Sequence, residues 1–587
     1  MSSRYVRVRA SLDIGDRRVE SPQGVADALN HHFASVGSTA VEGLDVGEDF
    51  IAAAGSLWRD PGISGFELGA IEPSDVESAL KSVRAGWSLG VAGIPDKILV
   101  SSASVICEPL AKVFTLSIET GVFPVALKDT RVVPLFKRKG QRDKSSNYRP
   151  IALVDIISKV FEKIIKGRVE SFLERSGFFV SCQFGFRGRR STELALAHLW
   201  DAIICPVGSG QAALGVFLDI TAAFNCLNHE FVLHMLKSVG VCPLTLGWFR
   251  SYLSQRRQSV QVDEVRSAWD TIDGVGAPQG SIVGPFLFGV YINFILRAVL
   301  ELGCCKVVTF ADDTTLVFPI RRSEFSKDLV VASDGVDRII GIFERFGLRI
   351  NASKTKVVLF SLRPISADRP VFSIRGEKVP FSSSAKCLGL TFEQGLRWND
   401  HVSDVAPKCY AAVAALRRLR QVGAPLSAQL LVYRSLFLPV LCYGLPVWGG
   451  CFQGIVERCQ IIQNDALRAI FGRRRSDSVS DLYAAHGLLR IDQLYHLSLA
   501  ILAWKNFHRK LPGDISYAIS AIVPLRPSRR PTGFLLPHAP TSSSRRSLQF
   551  RLPKIWESLP KELRDIVSVA KLRKEMVDRL LLDSVKM

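Results

Sequence analysis

The sequence has none of the cysteine arrangements that zinc knuckles or secreted disulfide frameworks use. Its 12 cysteines are scattered, none has CxxC spacing, and Cys304 and Cys305 are adjacent. We therefore expect reduced, mostly buried thiols in an intracellular protein. The first 15 residues, MSSRYVRVRASLDIG, contain no apolar run, so we expect no signal peptide.

Long uninterrupted hydrophobic runs are also missing. Two apolar stretches, residues 282–300 and 430–450, contain polar residues or prolines. We expect both to lie in a protein core rather than in a membrane. The chain has 587 residues, of which 47% are hydrophobic and 22% charged, so it is globular and long enough for several domains.

Acidic residues are in deficit. There are 75 Lys and Arg against 55 Asp and Glu, which gives a formal net charge of +20 and a pI of about 9.6. A surplus of this size favours a polyanionic partner, nucleic acid before a membrane. A basic enzyme without such a partner is the alternative.

The acids that are present occupy unusual places. In KVVTFADDTTLVF (306–318), two β-prone runs flank Asp312 and Asp313, which predicts a hairpin with both acids at its turn. From the hairpin alone, an acidic surface turn and a metal site are both open. In GVFLDITAAFNCLNHEFVLHML (215–236), Asp219 ends a strand that should be buried. Two such intrusions of aspartate favour metal binding.

Basic residues cluster in loops. The strand VVPLF is followed by the loop KRKGQRDKSSNYRP (137–150), which is suited to gripping phosphates or is a solvated charged loop. Arg187, Arg189 and Arg190 precede a Ser-Thr helix cap where a phosphate could bind. The runs at 473–475, 526–532 and 542–547 are expected to be exposed loops that contact a phosphate backbone or nothing.

Taken in order, these segments resemble the reverse transcriptases of non-LTR (LINE-type) retrotransposons, especially Jockey-like elements. The matching strings run collinearly over roughly residues 65–405. They are GIPDKIL, VVPLFKRKG, NYRPIAL, QFGFRGRRST, FLDITAAFNCLNH, GAPQGSIVGPFLFGVYIN, FADDTTL, INASKTKVVLF and LGLTFEQGLRWNDH. The resemblance implies an RNA-directed DNA polymerase that extends a primer 3′-hydroxyl with dNTPs.

The family implies an α+β right-hand polymerase with fingers, a ferredoxin-like palm and a helical thumb. Residues 1–65 are then expected to be a linker or a remnant of an upstream region, and residues 66–130 an N-terminal extension of the fingers. Residues 131–395 would form the reverse transcriptase fingers and palm, and residues 396–471 the thumb. Residues 472–587 would be a basic C-terminal region of unknown role.

The resemblance also implies a role for each matching residue. Asp219, Asp312 and Asp313 would bind two Mg²⁺ ions about 3.5–4 Å apart, with Mn²⁺ as an alternative, and Asp313 would be the more replaceable ligand. Lys354 resembles a lysine that protonates pyrophosphate. The residues expected to bind the dNTP and template are Lys137, Arg149, Phe224 (the steric gate), Gln279 and Gly280. For Phe224 and Lys354 alone, core packing and a solvated strand start are the simpler interpretations.

Three positions depart from the family pattern. The family usually has Lys and Asp where this sequence has Ala222 and Asn225, and commonly Asp at Phe294. A catalytically inactive nucleic-acid-binding protein from a decayed or domesticated element is therefore the alternative function, and a maturase-like host protein is a third.

The expected partners follow from the family. They are an RNA template, a DNA primer or target, and dNTPs, with no membrane partner. The expected location is intracellular: nuclear for target-primed synthesis, and cytoplasmic as a ribonucleoprotein. We expect no endonuclease domain in the first 65 residues, which are too few to hold one. Residues 472–587 show neither ribonuclease H acids nor a Cys/His knuckle.

Overall fold

A computed structural model describes residues 11–14, 17–44, 65–83, 86, 93–138, 140–272, 274–277, 280–364, 372–512 and 541–585. The strands are β1 (Leu12–Ile14), β2 (Arg17–Val19), β3 (Asp129–Phe136), β4 (Tyr148–Leu153), β5 (Ala212–Leu218), β6 (Arg256–Val262), β7 (Val265–Arg266), β8 (Asp270–Ile272), β9 (Lys306–Phe310), β10 (Asp313–Ile320), β11 (Lys356–Phe360), β12 (Phe372–Ile374), β13 (Glu377–Val379), β14 (Ser384–Cys387) and β15 (Leu390–Glu393).

Helices make up most of the remaining described chain. They are α1 (Pro22–Val41), α2 (Pro73–Ser82), α3 (Asp96–Ser101), α4 (Ala103–Thr120), α5 (Ile156–Arg175), α6 (Thr192–Gly208), α7 (His229–Ser238), α8 (Pro243–Leu253), α9 (Val283–Glu301), α10 (Phe325–Arg345), α11 (Asn399–Gln421), α12 (Leu426–Val432), α13 (Leu438–Leu441), α14 (Leu445–Trp448), α15 (Gln453–Phe471), α16 (Ser480–Ala485), α17 (Ile491–Phe507), α18 (Leu548–Ser558), α19 (Lys561–Arg564) and α20 (Val569–Val585).

The chain divides into two compact units, and neither is continuous in sequence. The first contains Met1–Arg187, Asp219–Gly303 and Arg338–Asn351. The second contains Gly188–Leu218, Cys304–Asp337 and Ala352–Met587. The domain boundaries expected from the sequence are linear and stay a prediction.

A mixed sheet in the first unit is built on β3. Its strand order is β4-β3-β6-β7, with β8 also paired to β6; β3 is antiparallel to β4 and parallel to β6. Alternate residues of these strands, such as Val132 and Ala152, face the core, where they pack with Val25, Leu29 and Phe33 of α1. The apolar face of α1 completes this core, which is not the behaviour of a linker. For α1 the other expectation, a remnant of an upstream region, stays a prediction.

Aromatic side chains fill a second core region of the first unit. Phe161 on α5 stacks on Phe114 of α4 with ring centroids 4.2 Å apart, and the Trp248 ring meets Phe161 edge-on at 5.4 Å. All three side chains are fully buried. Large rings in such geometries stabilise a core through buried area and edge-to-face attraction.

Helix α9 is apolar on nearly every side. By length and composition it could cross a membrane, the one such helix of at least 18 residues among those described, yet 83% of its apolar window is buried inside the fold. Phe294 on this helix packs against Phe178 at 5.3 Å, and the Tyr291 hydroxyl donates to the carbonyl of Phe346. The prediction that residues 282–300 form a core segment is confirmed.

The second unit contains a four-stranded antiparallel sheet of order β11-β5-β10-β9. Every residue of β5 is buried, as its continuous apolar sequence predicts, and α6 packs across β5, β9 and β10. Two small hairpins, β12–β13 and β14–β15, follow, and then helices α11 to α20.

The C-terminal residues are more ordered than the sequence predicts. The arginines at 473–475 are exposed, as expected. Arg546 instead has its guanidinium over Trp200 of α6 at 5.2 Å and donates to the carbonyl of Leu396 at 2.8 Å. Burial and the charge of Arg551 lower the pKa of Arg546 to about 10. The exposed-loop prediction is wrong here because Trp200 offers a ring face and backbone carbonyls lie within reach; residues 526–532 lie outside the described residues.

Candidate active site

One edge of the four-stranded sheet collects the predicted catalytic positions. Leu218, the last residue of β5, pairs with Thr314 on β10, and Phe217 pairs with Lys356 on β11. Because both neighbours run antiparallel to β5, the end of β5 and the starts of β10 and β11 lie at the same edge. The chain leaves or enters the sheet there at Asp219, Asp312, Asp313 and Lys354.

The two aspartates between β9 and β10 differ in backbone position and in exposure. Phe310 pairs with Asp313, so the turn contains only Ala311 and Asp312. Ala311 has a φ of 59°, the left-handed conformation that I′ and II′ hairpin turns need at their first position. Asp312 is half-buried in the turn, whereas Asp313 is exposed at the start of β10. The predicted hairpin forms, with Asp312 inside its two-residue loop and Asp313 at the position that closes the β-turn.

Asp313 and Thr315 lie two residues apart on β10, so their side chains are on the same face of the sheet, where the charge of Asp313 acts on Cys387. The Thr315 hydroxyl lies 3.8 Å from Cys387 Sγ on β14. Burial raises the pKa of Cys387 to about 12; the hydrogen bond to Thr315 opposes that shift and the charge of Asp313 adds to it. Asp313 therefore differs from Asp312 in both backbone position and surroundings.

The backbone at Asp219 is held by a short antiparallel pairing within the first unit. The carbonyl of Asp219 accepts from Asn351 N–H at 2.8 Å, and Thr221 N–H donates to the carbonyl of Arg349 at 2.9 Å. Asp219 is half-buried. These bonds fix the backbone at the point where the strand has ended. Lys354 is exposed in the turn just before β11.

The donor atoms at this edge suit a hard divalent cation. Mg²⁺ prefers oxygen ligands and usually takes one or two carboxylates together with water and substrate phosphates. In the described part of the chain, no three His, Cys, Asp or Glu side chains are grouped closely enough to hold a metal ion by themselves. Asp219, Asp312 and Asp313 each carry the carboxylate oxygens that Mg²⁺ prefers, and their joint binding of metal stays a prediction.

Phe224 lies in a short 3₁₀ helix (Ala223–Cys226) and is half-buried. Its ring packs against Phe288 at 4.6 Å and meets Phe186 edge-on at 5.8 Å. The carbonyl of Phe224 accepts from Ala277 N–H at 2.7 Å. Two aromatic neighbours and this bond hold the ring in place while part of it stays exposed, which a steric gate requires.

Lys137 and Arg149 lie on the outer face of the β3–β4 hairpin. Arg149 pairs with Leu135, and Lys137 N–H donates to Asn147 at 2.8 Å, so the two cations are diagonal neighbours on one face. Both are exposed, and Lys137 Nζ donates to the carbonyl of Ser146 at 2.7 Å. The hairpin therefore presents two cations together, as binding of a triphosphate requires.

Gly280 lies against the same hairpin. Its φ is 82°, and a Cβ atom added there would overlap the carbonyl oxygen of Ala152 on β4. Only glycine allows both that conformation and that approach. The close passage predicted for residues 276–280 is confirmed at Gly280, and Gln279 lies outside the described residues.

Glu162 is a buried residue that the sequence did not single out. Its Oε2 accepts from Ile282 N–H at 2.6 Å and Val283 N–H at 3.1 Å, and its Oε1 accepts from the Ser158 hydroxyl at 3.0 Å. The side chain is completely buried. It satisfies free N–H groups at the start of α9, two residues after Gly280. In the sequence, the indication of this role was a single acidic residue among the apolar positions on one face of α5.

Arg187 is structural. Its guanidinium pairs with Glu174 through two bonds of 2.9 Å and donates to the carbonyls of Val180 and Gln183. The prediction of phosphate binding is therefore wrong for Arg187, because its donors are already used and it is buried. The predicted cap is confirmed: the Ser191 side chain accepts from Leu194 N–H at 3.2 Å.

The three departures from the family pattern have structural settings of their own. Phe294 is fully buried against Phe178, where a carboxylate without a partner would be costly. Ala222 has a φ of 47°. The backbone of Asn225 lies so close to Gly37 of α1 that a Cβ on Gly37 would overlap its carbonyl.

The chain is similar in sequence to known proteins. Residues 137–392 match the family model described as reverse transcriptase (RNA-dependent DNA polymerase). The chain is 31% identical over 368 residues to a Drosophila melanogaster protein named "Probable RNA-directed DNA polymerase from transposon X-element", covering 61% of this chain and 39% of the relative. It is 28% identical to the "RNA-directed DNA polymerase from mobile element jockey" of the same species, covering 62% of this chain and 40% of the relative.

A third relative comes from another insect. The chain is 25% identical over 443 residues to the "Retrovirus-related Pol polyprotein from type-1 retrotransposable element R1" of Bradysia coprophila, covering 72% of this chain and 42% of the relative. The chain thus spans about two fifths of the length of these relatives.

Proposed function

We propose that the chain extends a primer 3′-hydroxyl with dNTPs on an RNA template. The premise is that residues 137–392 belong to the reverse transcriptase family and resemble those of Jockey-like non-LTR elements. Reverse transcriptases in general use divalent metal ions and act on an RNA template, a primer and dNTPs. The observation that supports the proposal most is the sheet edge where β5 ends and β10 and β11 begin, because four of the predicted catalytic residues leave or enter the sheet there.

In this proposal Asp219 and Asp312 would hold two Mg²⁺ ions, and Asp313 would contribute less. Bound Mg²⁺ would activate the primer 3′-hydroxyl and offset the charge of the leaving pyrophosphate. The 3′-hydroxyl loses its proton to solvent water and its oxygen attacks the α-phosphorus. The bond from that phosphorus to the oxygen that bridges to the β-phosphate breaks. Lys354 donates a proton to the departing pyrophosphate.

The substrate is oriented by residues of the first unit. Lys137 and Arg149 bind the triphosphate through charge-assisted hydrogen bonds. The half-buried ring of Phe224 excludes a ribose 2′-hydroxyl and so selects dNTPs. Gly280 lets the backbone pass close to β4, next to the position of Gln279. Further proposals are a fingers, palm and thumb arrangement and synthesis in the nucleus, with a cytoplasmic ribonucleoprotein stage.

Primer extension on an RNA template tests this function. Asp312→Asn and Asp219→Asn should each lower incorporation by about 10³-fold, which corresponds to about 4 kcal/mol of transition-state stabilisation. Asp313→Asn should cost less than either. Asp263→Asn, at an exposed turn position, is the matched control and should leave incorporation unchanged. A wild-type chain that incorporates no dNTP, or an Asp312→Asn variant with full activity, would overturn the proposal.

A further inference from the structure

A groove in the second unit is surrounded by positive charge. It lies where α11 and α15 end, and its volume is about 490 Å³. Its charged lining residues are Arg417, Arg420, Arg468, Arg473, Arg475 and Asp465. We call it the arginine groove. Five guanidinium groups face one carboxylate, so the local charge is far from balanced.

Two of these arginines have structural partners. Arg468 donates to Asp465 at 2.9 Å and to the carbonyl of Asp477 at 3.2 Å. Arg473 donates to a carboxylate oxygen of Asp481 at 2.8 Å. Their charges are largely used in holding the chain that follows α15.

Arg417, Arg420 and Arg475 differ from them. All three are exposed, and within the described ranges none has a carboxylate or carbonyl partner. Arg168 in the first unit shows the contrast, because it donates to the carbonyls of Gly69 and Ala70 and to Asp75. Its donors are satisfied by the protein itself.

The ends of the two helices explain only part of the arginine groove. Cations near a helix C-terminus are stabilised by the helix dipole. Arg420 lies in the last turn of α11 and its guanidinium is close to Gly472, the cap residue of α15. Arg417 precedes that last turn and Arg475 follows α15 in a loop. Neither of these two is needed to complete a helix end.

An aromatic ring lies beside the arginines. Tyr410 on α11 lines the arginine groove with 44% of its surface exposed, and its hydroxyl donates to Asp465 at 3.4 Å. Asp465 therefore orients the ring, and its ion pair is with Arg468. An exposed ring next to unpaired guanidinium groups is the combination that binds single-stranded nucleic acid, through base stacking and phosphate contacts.

We propose that the arginine groove binds a single-stranded segment of RNA. Arg417 and Arg475 contact successive phosphates and the Tyr410 ring stacks on a base. The site lies outside residues 137–392, which match the polymerase family model. The choice of RNA rests on the proposed function, since an RNA template is the polyanion that this function brings to the protein.

Binding of a fluorescent 12-nucleotide oligouridylate to the full chain, measured by anisotropy over a range of salt concentrations, tests the proposal. Arg417→Gln/Arg475→Gln should raise Kd by about tenfold, because two solvent-exposed charge contacts are lost. The slope of log K against log salt should fall by about 1.4, at about 0.7 per phosphate on a single strand. Arg397→Gln/Arg434→Gln removes the same charge from exposed positions elsewhere in the second unit and should change Kd less than twofold.

A second variant separates stacking from charge. Tyr410→Leu should weaken binding without changing the salt slope, an effect that a general loss of folding would not produce. Arg417→Lys keeps the charge but loses the two-pronged phosphate contact, so its affinity should be intermediate. Equal affinities of the groove double variant and its control, or equal slopes, would overturn the proposal.

Primer extension with the same preparations distinguishes this inference from the proposed function. A wild-type chain that extends primers, alongside a groove variant that binds RNA like its control, refutes only the groove. A wild-type chain that binds oligouridylate through the groove but extends no primer refutes only the polymerase. If inorganic phosphate or duplex DNA displaces the labelled oligouridylate as effectively as unlabelled oligouridylate does, the groove is a general anion site and the RNA assignment is overturned.

Discussion

Glu162→Gln should loosen the start of α9 without changing the shape of the side chain. The carboxylate accepts two backbone N–H bonds from Ile282 and Val283 and a third from Ser158, in complete burial. An uncharged amide weakens each backbone bond by about 1 kcal/mol, since bonds to charged groups are worth about 1.5–3 kcal/mol against about 0.5–1.5 kcal/mol for neutral ones. The helix end contributes about 0.3–2 kcal/mol more. The expected loss of unfolding free energy is therefore about 2–4 kcal/mol.

Hydrogen exchange measured on a peptide that covers residues 280–285 reports this change directly. The amides of Ile282 and Val283 should exchange roughly 30- to 1,000-fold faster, because each 1.4 kcal/mol corresponds to about a factor of ten. The KM for dNTP should rise as well, since Gly280 lies two residues before the cap. Urea unfolding of the same variant gives the free energy independently.

Glu170→Gln on the same helix is the matched control. Glu170 pairs with Lys166 at 2.7 Å one turn away, a half-buried i,i+4 pair of the kind that contributes about 0.2–0.5 kcal/mol in helices. Its substitution should leave exchange at residues 280–285 unchanged. A Glu162→Gln variant with wild-type exchange and an unfolding free energy within about 0.5 kcal/mol of wild type would refute the argument that a charged carboxylate caps α9.

Three further outcomes are expected. Gly280→Ala should lower kcat/KM for dNTP by at least about tenfold, because the added Cβ would overlap β4. Gly376 has a φ of 77° and open space around it, so Gly376→Ala should only lower the free energy of unfolding, by about 1–2 kcal/mol. Burial lowers the pKa of His401 to about 4, so between about pH 6.5 and pH 4 the imidazole is protonated in the unfolded chain but not in the folded one. The free energy of unfolding should therefore fall by roughly 3 kcal/mol as the pH is lowered from about 6.5 to about 4. His401→Leu should remove this loss from acid unfolding curves. Arg546→Ala should lower the Tm by several degrees, and the exposed Arg545→Ala should not.

Local sequence patterns determined the elements that form the candidate active site. The continuous apolar run before Asp219 predicts a buried strand, and β5 is buried at every position. The β-branched runs around Asp312 predict a hairpin, and β9 and β10 form it. Both inferences work because they depend on neighbours in the chain: propensity, periodicity and turn chemistry act over a few residues.

The partners of individual side chains were decided by the tertiary structure. Glu162 caps a helix 120 residues further along the chain, and the indole N–H of Trp200 donates to the carbonyl of Arg546, 346 residues away. Arg187 looked like a phosphate ligand because its sequence neighbourhood is basic, yet Glu174 and two carbonyls use its donors. No local pattern shows which acid or ring will lie opposite.

The N-terminal residues illustrate the same limit of local reasoning. Helix α1 reads as one helical patch in a mixed region, and only packing shows that Leu29 and Phe33 belong to the core beneath β3 and β4. A sequence determines which face of an element is apolar, since that depends on its own periodicity. The surface that covers this face is decided when the chain folds, because burial free energy depends on shape and proximity in space and not on distance along the chain.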